Sequence, residues 1–179
     1  MQHQDQEVVS VYLSLGSNQG NSPKRVTDAL NSLSKSYPEA FQHSALYLTS
    51  PVGSGVLGNF VNAACSFKTA IDPKTLFHQL ESIEKNLGKI SKPKLSPRPI
   101  DIDLILYGSL SYQDATLTIP HPHWLERLFV LVPLSELLSS ILLHREEGTI
   151  FISIKEQIQK AQALYPDQLI RRLDSESHV

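Results

Sequence analysis

The residues most able to do chemistry lie in Arg98-Pro99-Ile100-Asp101-Ile102-Asp103-Leu104-Ile105-Leu106. The β-branched run from Ile100 to Tyr107 predicts a strand, whose side chains alternate between faces. Asp101 and Asp103 then point one way, and Ile100, Ile102, Leu104 and Leu106 point into the core. Two carboxylates about 7 Å apart on one strand face repel each other unless a cation sits between them. Hard oxygen ligands of this kind suit Mg²⁺, which takes one or two carboxylates and completes its shell with water and phosphate. The same residues also read as the exposed side of an amphipathic strand. Aspartate is depleted in strands, however, so a pair opposite an Ile/Leu run is unusual.

The surroundings favour phosphate chemistry. Lys85, Lys89, Lys92, Lys94 and Arg98 lie in one stretch without an acidic residue after Lys85, and the segment from Lys89 onward is punctuated by prolines. A basic loop leading into a dicarboxylate lets metal neutralise phosphate from one side and Lys or Arg from the other. A solvated lysine loop is the alternative reading. His121 lies in Pro120-His121-Pro122-His123, shortly after the acidic strand, where it could meet phosphate. Phe60 and Asn62 share a strand face and could stack on and hydrogen-bond a flat heterocycle. Read alone, Phe60 is a core residue and Asn62 a turn-facing polar one. Arg127 and Phe129 read alone as an ion-pairing residue and a core residue. Cys65 reads as a buried structural thiol. His43, His78, His121 and His123 lack zinc-ligand spacing. Gly16-Ser17-Asn18 is not followed by the Gly-Lys-Ser/Thr of a phosphate-binding P-loop.

The elements that must position these residues follow from periodicity. Val9, Val11, Leu13 and Leu15 alternate with Ser10, Tyr12 and Ser14, predicting a half-buried strand over 8–15. Ser22 as N-cap, Pro23 and the stripe Val26, Ala29, Leu30 and Leu33 predict a helix. Strands are predicted over 44–49 and 59–68. Asp72, Pro73 and the stripe Leu76, Phe77, Leu80, Ile83 and Leu87 predict a second helix stopped at Gly88. Residues 124–143 read as a short helix with further buried structure, broken at Pro133. Ile154, Ile158, Ala161 and Leu164 predict a last helix. The order is βαββαβ, an α+β pattern of ferredoxin-like type, with helices on one face of an antiparallel sheet and C-terminal additions. Residues 1–7 read as a polar N-terminal segment, 8–165 as one domain and 166–179 as a polar tail.

Composition narrows the class. The chain has 179 residues, 41% apolar and 19% charged, with net charge −2. This is a globular composition without the basic excess of a nucleic-acid binder. One cysteine excludes an intrachain disulfide and suits a reducing compartment. The first residues lack the basic and apolar regions of a signal peptide. The longest apolar run in the most hydrophobic stretch, Leu128 to Val132, is too short to span a membrane. The expectation is a cytoplasmic protein without nucleic-acid or membrane partners, a monomer or weak dimer.

Taken together, these motifs resemble the 6-hydroxymethyl-7,8-dihydropterin pyrophosphokinase family of folate synthesis. The resemblance covers roughly 11–138. It rests on Tyr12-Leu13-Ser14-Leu15-Gly16-Ser17-Asn18, Thr49-Ser50-Pro51-Val52-Gly53, Phe60-Val61-Asn62-Ala63-Ala64 and Ile83-Glu84. It continues through Pro97-Arg98-Pro99-Ile100-Asp101-Ile102-Asp103, Ile119-Pro120-His121-Pro122 and Arg127-Leu128-Phe129-Val130-Leu131-Val132-Pro133-Leu134. It implies transfer of the terminal pyrophosphate of ATP to a pterin alcohol, with release of AMP. Asp101 and Asp103 would hold two Mg²⁺ ions and, with Arg98 and Lys89, act in catalysis. Phe60 and Phe129 would sandwich the pterin, Asn62 would bond its edge, and backbone near Thr49 and Val52 would read the rest. Glu81, Lys89, Arg98, Ile105, Thr118, His121 and Arg127 would contact ATP, with Thr118 and Ile119 in the adenosine region.

The sequence departs from the family pattern in one loop. Lys89 stands where an arginine is expected, Ser91 or Lys92 at a second arginine, Leu95 for a tryptophan and Ser96 for a glycine. Lysine keeps the charge but not the bidentate fork. A catalytically weak pterin- or nucleotide-binding homologue is therefore the alternative. An RNA-binding ferredoxin-like module ranks last, because carboxylates on the sheet repel phosphate unless metal is present.

Overall fold

The computed structural model describes residues 7–51, 58–89, 98–145 and 147–173. The alternation of the first segment makes β1 (Val9–Ser17), which pairs antiparallel with two neighbours. α1 (Ser22–Ser36) follows. β2 (Gln42–His43) and β3 (Tyr47–Thr49) replace the single strand predicted over 44–49. Ser44 breaks the run. Its buried backbone N–H and hydroxyl both bond Ala64 of β4 (Phe60–Thr69), the former donating to Ala64 O at 2.9 Å and the latter accepting Ala64 N–H at 2.9 Å. α2 (Pro73–Asn86) then leads toward β5 (Asp101–Tyr107). With a last strand, β10 (Ile170–Arg172), the main sheet has the order β10-β3-β4-β1-β5, each neighbour antiparallel, with β2 also paired to β4.

Caps set both early helices. Asn21, not the expected Ser22, caps α1, its side chain accepting the Lys24 N–H at 3.1 Å. The helix starts one residue sooner than predicted, and Ser22 is buried within its first turn. Asp72 caps α2 as expected, accepting the Thr75 N–H at 3.0 Å.

β5 departs from simple alternation. Leu13 pairs with Leu104, and the preceding Tyr12 pairs with Leu106, so Ile105 is an extra residue. Such a bulge reverses which face each later side chain occupies. Ile102 and Leu104 join the core formed with α1 and α2. Leu106, expected beside them, instead joins Ile105 in a second core with Tyr12 packed against it.

That second core corrects the one-sided layering. α1 and α2 bury Val26, Ala29, Leu30, Leu33, Leu76 and Leu80 against one sheet face. The opposite face is covered by a 3-10 turn (Trp124–Glu126), α3 (Leu128–Leu134) and α4 (Ile154–Leu164). Pro133 lies inside α3 rather than ending it. Two short strands, β6 (Tyr112–Gln113) and β7 (Thr118–Ile119), pair beside β5. Beyond α3, a hairpin of β8 (Ser140–Arg145) and β9 (Gly148–Ser153) was not predicted. Neither was β10 (Ile170–Arg172), which lies in the segment read as a polar tail and pairs with β3. Backbone hydrogen bonds, which need no apolar pattern, anchor it. Among the described residues no helix is long and apolar enough to cross a membrane.

Leu131 is fully buried in the second core. Leu131→Ala is expected to cost about 2–5 kcal/mol, the usual range for a buried leucine. Denaturant unfolding checks this, and a cost below about 0.5 kcal/mol would show that the layer contributes little.

Candidate active site

The candidate site residues Asn62, Asp101 and Asp103 lie on the sheet face opposite α1 and α2. There β1 presents only small residues near its end. Gly16 is flanked by Asn62 of β4 on one side and Asp101 of β5 on the other. One step along, Ser14 lies between Ala64 and Asp103. The pairing therefore forms a trough with an amide on one wall and two carboxylates on the other. A Cβ at Gly16 would lie 2.8 Å from Asn62 Oδ1, so glycine is required for the amide to sit there.

The amide wall is fixed from behind. Asn62 is buried, and its Nδ2 donates to Thr49 Oγ1 at 2.8 Å. Thr49 is itself buried at the end of β3. Phe60, at the mouth of this wall, is half-buried and packs against neither core among the described residues. Phe129, on the first turn of α3, is partly buried against the second core, and the Arg127 guanidinium lies 5.6 Å from its ring centre.

The carboxylate wall is held by cations. Lys89 Nζ lies 2.6 Å from Asp101 Oδ1 and 2.7 Å from Glu84 Oε1. Arg98 pairs with the other Asp101 oxygen. The backbone of Arg98 is pinned by Asn18, whose Oδ1 accepts the Arg98 N–H at 2.8 Å and whose own N–H donates to Arg98 O at 3.3 Å. Asn18, just past the end of β1, thus fixes the backbone that carries Arg98. Asp103 makes no direct ion pair among the described residues.

Glu84 was not singled out as a site residue. It is 5% exposed and accepts the Ile102 N–H at 2.6 Å, which ties α2 to β5. A signal existed in the sequence. Leu76, Leu80 and Glu84 recur every four residues, which places a carboxylate on the buried stripe of the helix. Glu81, expected at ATP, instead pairs with His78 on the exposed side of α2 at 3.1 Å. The carboxylate that reaches the site is one turn later.

Electrostatics follow from burial and these partners. Burial pushes the Glu84 carboxyl up, while Lys89 and the Ile102 amide pull it down in part. Burial alone would lower the Lys89 ammonium, but its bonds to Asp101 and Glu84 outweigh this and hold it charged. Asp103 is raised by burial and by the Asp101 charge, with Arg127, Lys89 and Arg98 opposing. Burial lowers His121 to about 4, and the nearby Arg127 and His123 charges add to this, so its ring is neutral at pH 7. The Cys65 thiol is raised by complete burial, in keeping with a structural role.

The remaining expected residues lie around this centre. The His121 N–H donates to Ile105 O at 3.1 Å, so Ile105 holds the Pro-His-Pro-His loop by its backbone while its side chain is buried in the second core. Thr118 is half-buried on β7, and Ile119 is buried in the first core. Val52, Ser91, Lys92, Leu95 and Ser96 lie outside the described residues.

Asp101 and Asp103 belong to no group of three or more potential His, Cys, Asp or Glu metal ligands among the described residues. A dicarboxylate without a third protein ligand fits a magnesium ion that shares its shell with phosphate and water, rather than an all-protein cage.

His121 gives a pH prediction. Its folded-state value lies below the unfolded one. Below about pH 6.5 the unfolded chain gains a proton that folded His121 refuses. Its contribution to stability therefore falls between about pH 6.5 and 4. His121→Gln should flatten this part of the pH–stability curve, read from unfolding midpoints. An unchanged slope would refute it.

The family model for 7,8-dihydro-6-hydroxymethylpterin-pyrophosphokinase (HPPK) matches residues 12–139. The chain is 32% identical over 137 residues to the 2-amino-4-hydroxy-6-hydroxymethyldihydropteridine pyrophosphokinase of Haemophilus influenzae, covering 76% of this chain and 86% of that protein. The Bacillus subtilis protein of the same name is 33% identical over 131 residues, covering 73% and 78%. The folic acid synthesis protein fol1 of Pneumocystis carinii is 38% identical over 149 residues, and the chain spans only 20% of its length. In fold, the chain is similar to the crystal structure of Plasmodium falciparum HPPK-DHPS with pteroate. The TM-score is 0.62 at 14% identity, covering 88% of this chain and 43% of that one. With the family model across most of its length and two bacterial relatives matched over most of theirs, the chain belongs to the 7,8-dihydro-6-hydroxymethylpterin-pyrophosphokinase family.

Proposed function

We propose that this chain performs its family's reaction through the trough on β1, moving the terminal pyrophosphate of ATP to the hydroxymethyl group of 6-hydroxymethyl-7,8-dihydropterin and releasing AMP. The observation that carries the reading is the pairing of Gly16 and Ser14 between the Asn62 wall and the Asp101/Asp103 wall. A flat heterocycle fits between Phe60 and Phe129, with its edge toward Asn62. Its hydroxymethyl group then points toward the carboxylates. Arg98, Arg127 and His121 face the phosphates, His121 as a neutral hydrogen-bonding ring.

Asp101 and Asp103 are the residues that would hold two Mg²⁺ ions. Bound there, the ions would supply charge neutralisation of the phosphate oxygens. Lys89, held by Glu84, lies beside the same carboxylate and adds positive charge on the phosphate side. Positioning and charge stabilisation carry such transfers, and no protein nucleophile is needed. The run β1-α1-β3-β4-α2-β5 with spatial order β3-β4-β1-β5 supports a ferredoxin-like reading of the core. The reading keeps the chain cytoplasmic, a monomer or weak dimer, with ATP and the pterin as its partners.

The deciding assay is AMP release from ATP with Mg²⁺ and the pterin alcohol. AMP should depend on the pterin and fall at least about a hundredfold in the Asp101→Ala, Asp103→Ala double variant. Pterin binding by folded wild type without AMP formation would support the weak-binder alternative. Gly16→Ala pushes a methyl group into Asn62 Oδ1. It should raise the KM for the pterin about tenfold while leaving the KM for ATP within about twofold. Equal effects on both would place Gly16 elsewhere in the chemistry.

A further inference from the structure

We infer that Gln168 is a positioning residue that holds Arg127 toward the site. It lies beyond the 12–139 span matched by the family model. Its Oε1 accepts the Leu128 N–H at 3.0 Å, and its Nε2 donates to Glu126 O at 3.0 Å. These two backbone groups bracket Arg127 in the chain. Arg127 is the extended joint between the 3-10 turn and α3, with φ −106° and ψ 104°, and it supplies no side-chain cap to α3. The first amides of a helix lack intrahelical partners, so the Leu128 N–H needs an acceptor from outside. Gln168 provides it and satisfies the Glu126 carbonyl with the same amide group.

The segment carrying Gln168 is itself fixed to the other side of the trough. The Ser50 N–H donates to Leu169 O at 3.0 Å, and the Leu169 N–H donates to Ser50 Oγ at 3.0 Å. Ser50 Oγ donates to Asp167 O at 3.3 Å. Immediately afterward β10 pairs Ile170 with Thr49, the residue that holds Asn62. The segment is thus a strap from the amide wall to the joint that carries Arg127. Arg127 projects from this joint over the Phe129 ring, and its charge favours ionised Asp103 and disfavours protonation of His121. A joint between two short helices has freedom to rotate, and a two-point clamp on its flanking peptides removes it. The inference rests on the proposed role of Arg127 at the triphosphate.

The test compares wild type, Gln168→Leu, Gln168→Glu, Arg127→Ala and the Arg127→Ala, Gln168→Leu pair. Gln168→Leu removes both bonds and should weaken Mg-ATP binding about tenfold by titration calorimetry. The KM for ATP should rise in parallel, with kcat within about twofold. Gln168→Glu keeps the acceptor for Leu128 and loses the donor to Glu126, so its loss should be about threefold. Exchange of the Leu128 amide should quicken in Gln168→Leu and not in Gln168→Glu. In the Arg127→Ala background, Gln168→Leu should add no loss of ATP affinity. Unchanged ATP affinity in Gln168→Leu, or the same loss with and without Arg127, overturns the inference. Wild type that binds Mg-ATP but forms no AMP would sink the proposed function while the affinity cycle still decides on Gln168. Wild type that binds no Mg-ATP overturns both.

Discussion

Two aspartates on one face of one strand are the constraint that the rest of the molecule serves. Burial and the neighbouring Asp101 charge both raise the cost of ionising Asp103. Lys89 and Arg98 on Asp101 meet this cost. Each is held by something more distant. Glu84 extends from the buried stripe of α2 to fix Lys89, and Asn18 turns back from the end of β1 to fix the Arg98 backbone. The helix packing, the first loop and the acidic strand are therefore parts of one electrostatic arrangement.

β1 contributes by what it lacks. Its face toward the site carries Ser14 and Gly16, while its other face carries Val11, Leu13 and Leu15 in the first core. One strand thus packs like an ordinary central strand and still leaves room above it. The bulge in β5 solves a related problem. Before Ile105 the strand turns carboxylates toward the face of Ser14 and Gly16, and after it Leu106 enters a second core. A single extra residue lets seven residues serve a site and two apolar layers.

The sequence made legible whatever depended on local pattern. The alternation of Val9 to Leu15, the Asp72 cap and the α4 stripe as far as Ala161 matched the observed elements, while Leu164, expected on that stripe, lies exposed at the helix end. The shared face of Asp101 and Asp103 matched too. What escaped depended on contacts distant in the chain. The spacing of Leu76, Leu80 and Glu84 could mark Glu84 as buried, but not its bonds to Ile102 and Lys89. The bulge at Ile105 is a register event between two strands, invisible in either one alone. β8 and β9 have apolar residues on both sides, including exposed Leu142 and Phe151 paired across the hairpin, so no alternation marked them. β10 owes its place to backbone bonds with β3 rather than to an apolar pattern.

The Lys89 contact has a consequence for how the protein is made. Where a metal supplies the only counter-charge in a site, folding waits for the metal, and the two equilibria merge. Here a tethered ammonium already compensates Asp101 as soon as α2 and β5 meet. The scaffold can mature without drawing on the cell's divalent ions. An ion bound there as proposed would have to compete with a lysine of fixed local concentration. Such a competitor would raise the threshold for occupancy and turn away ions that coordinate oxygen weakly.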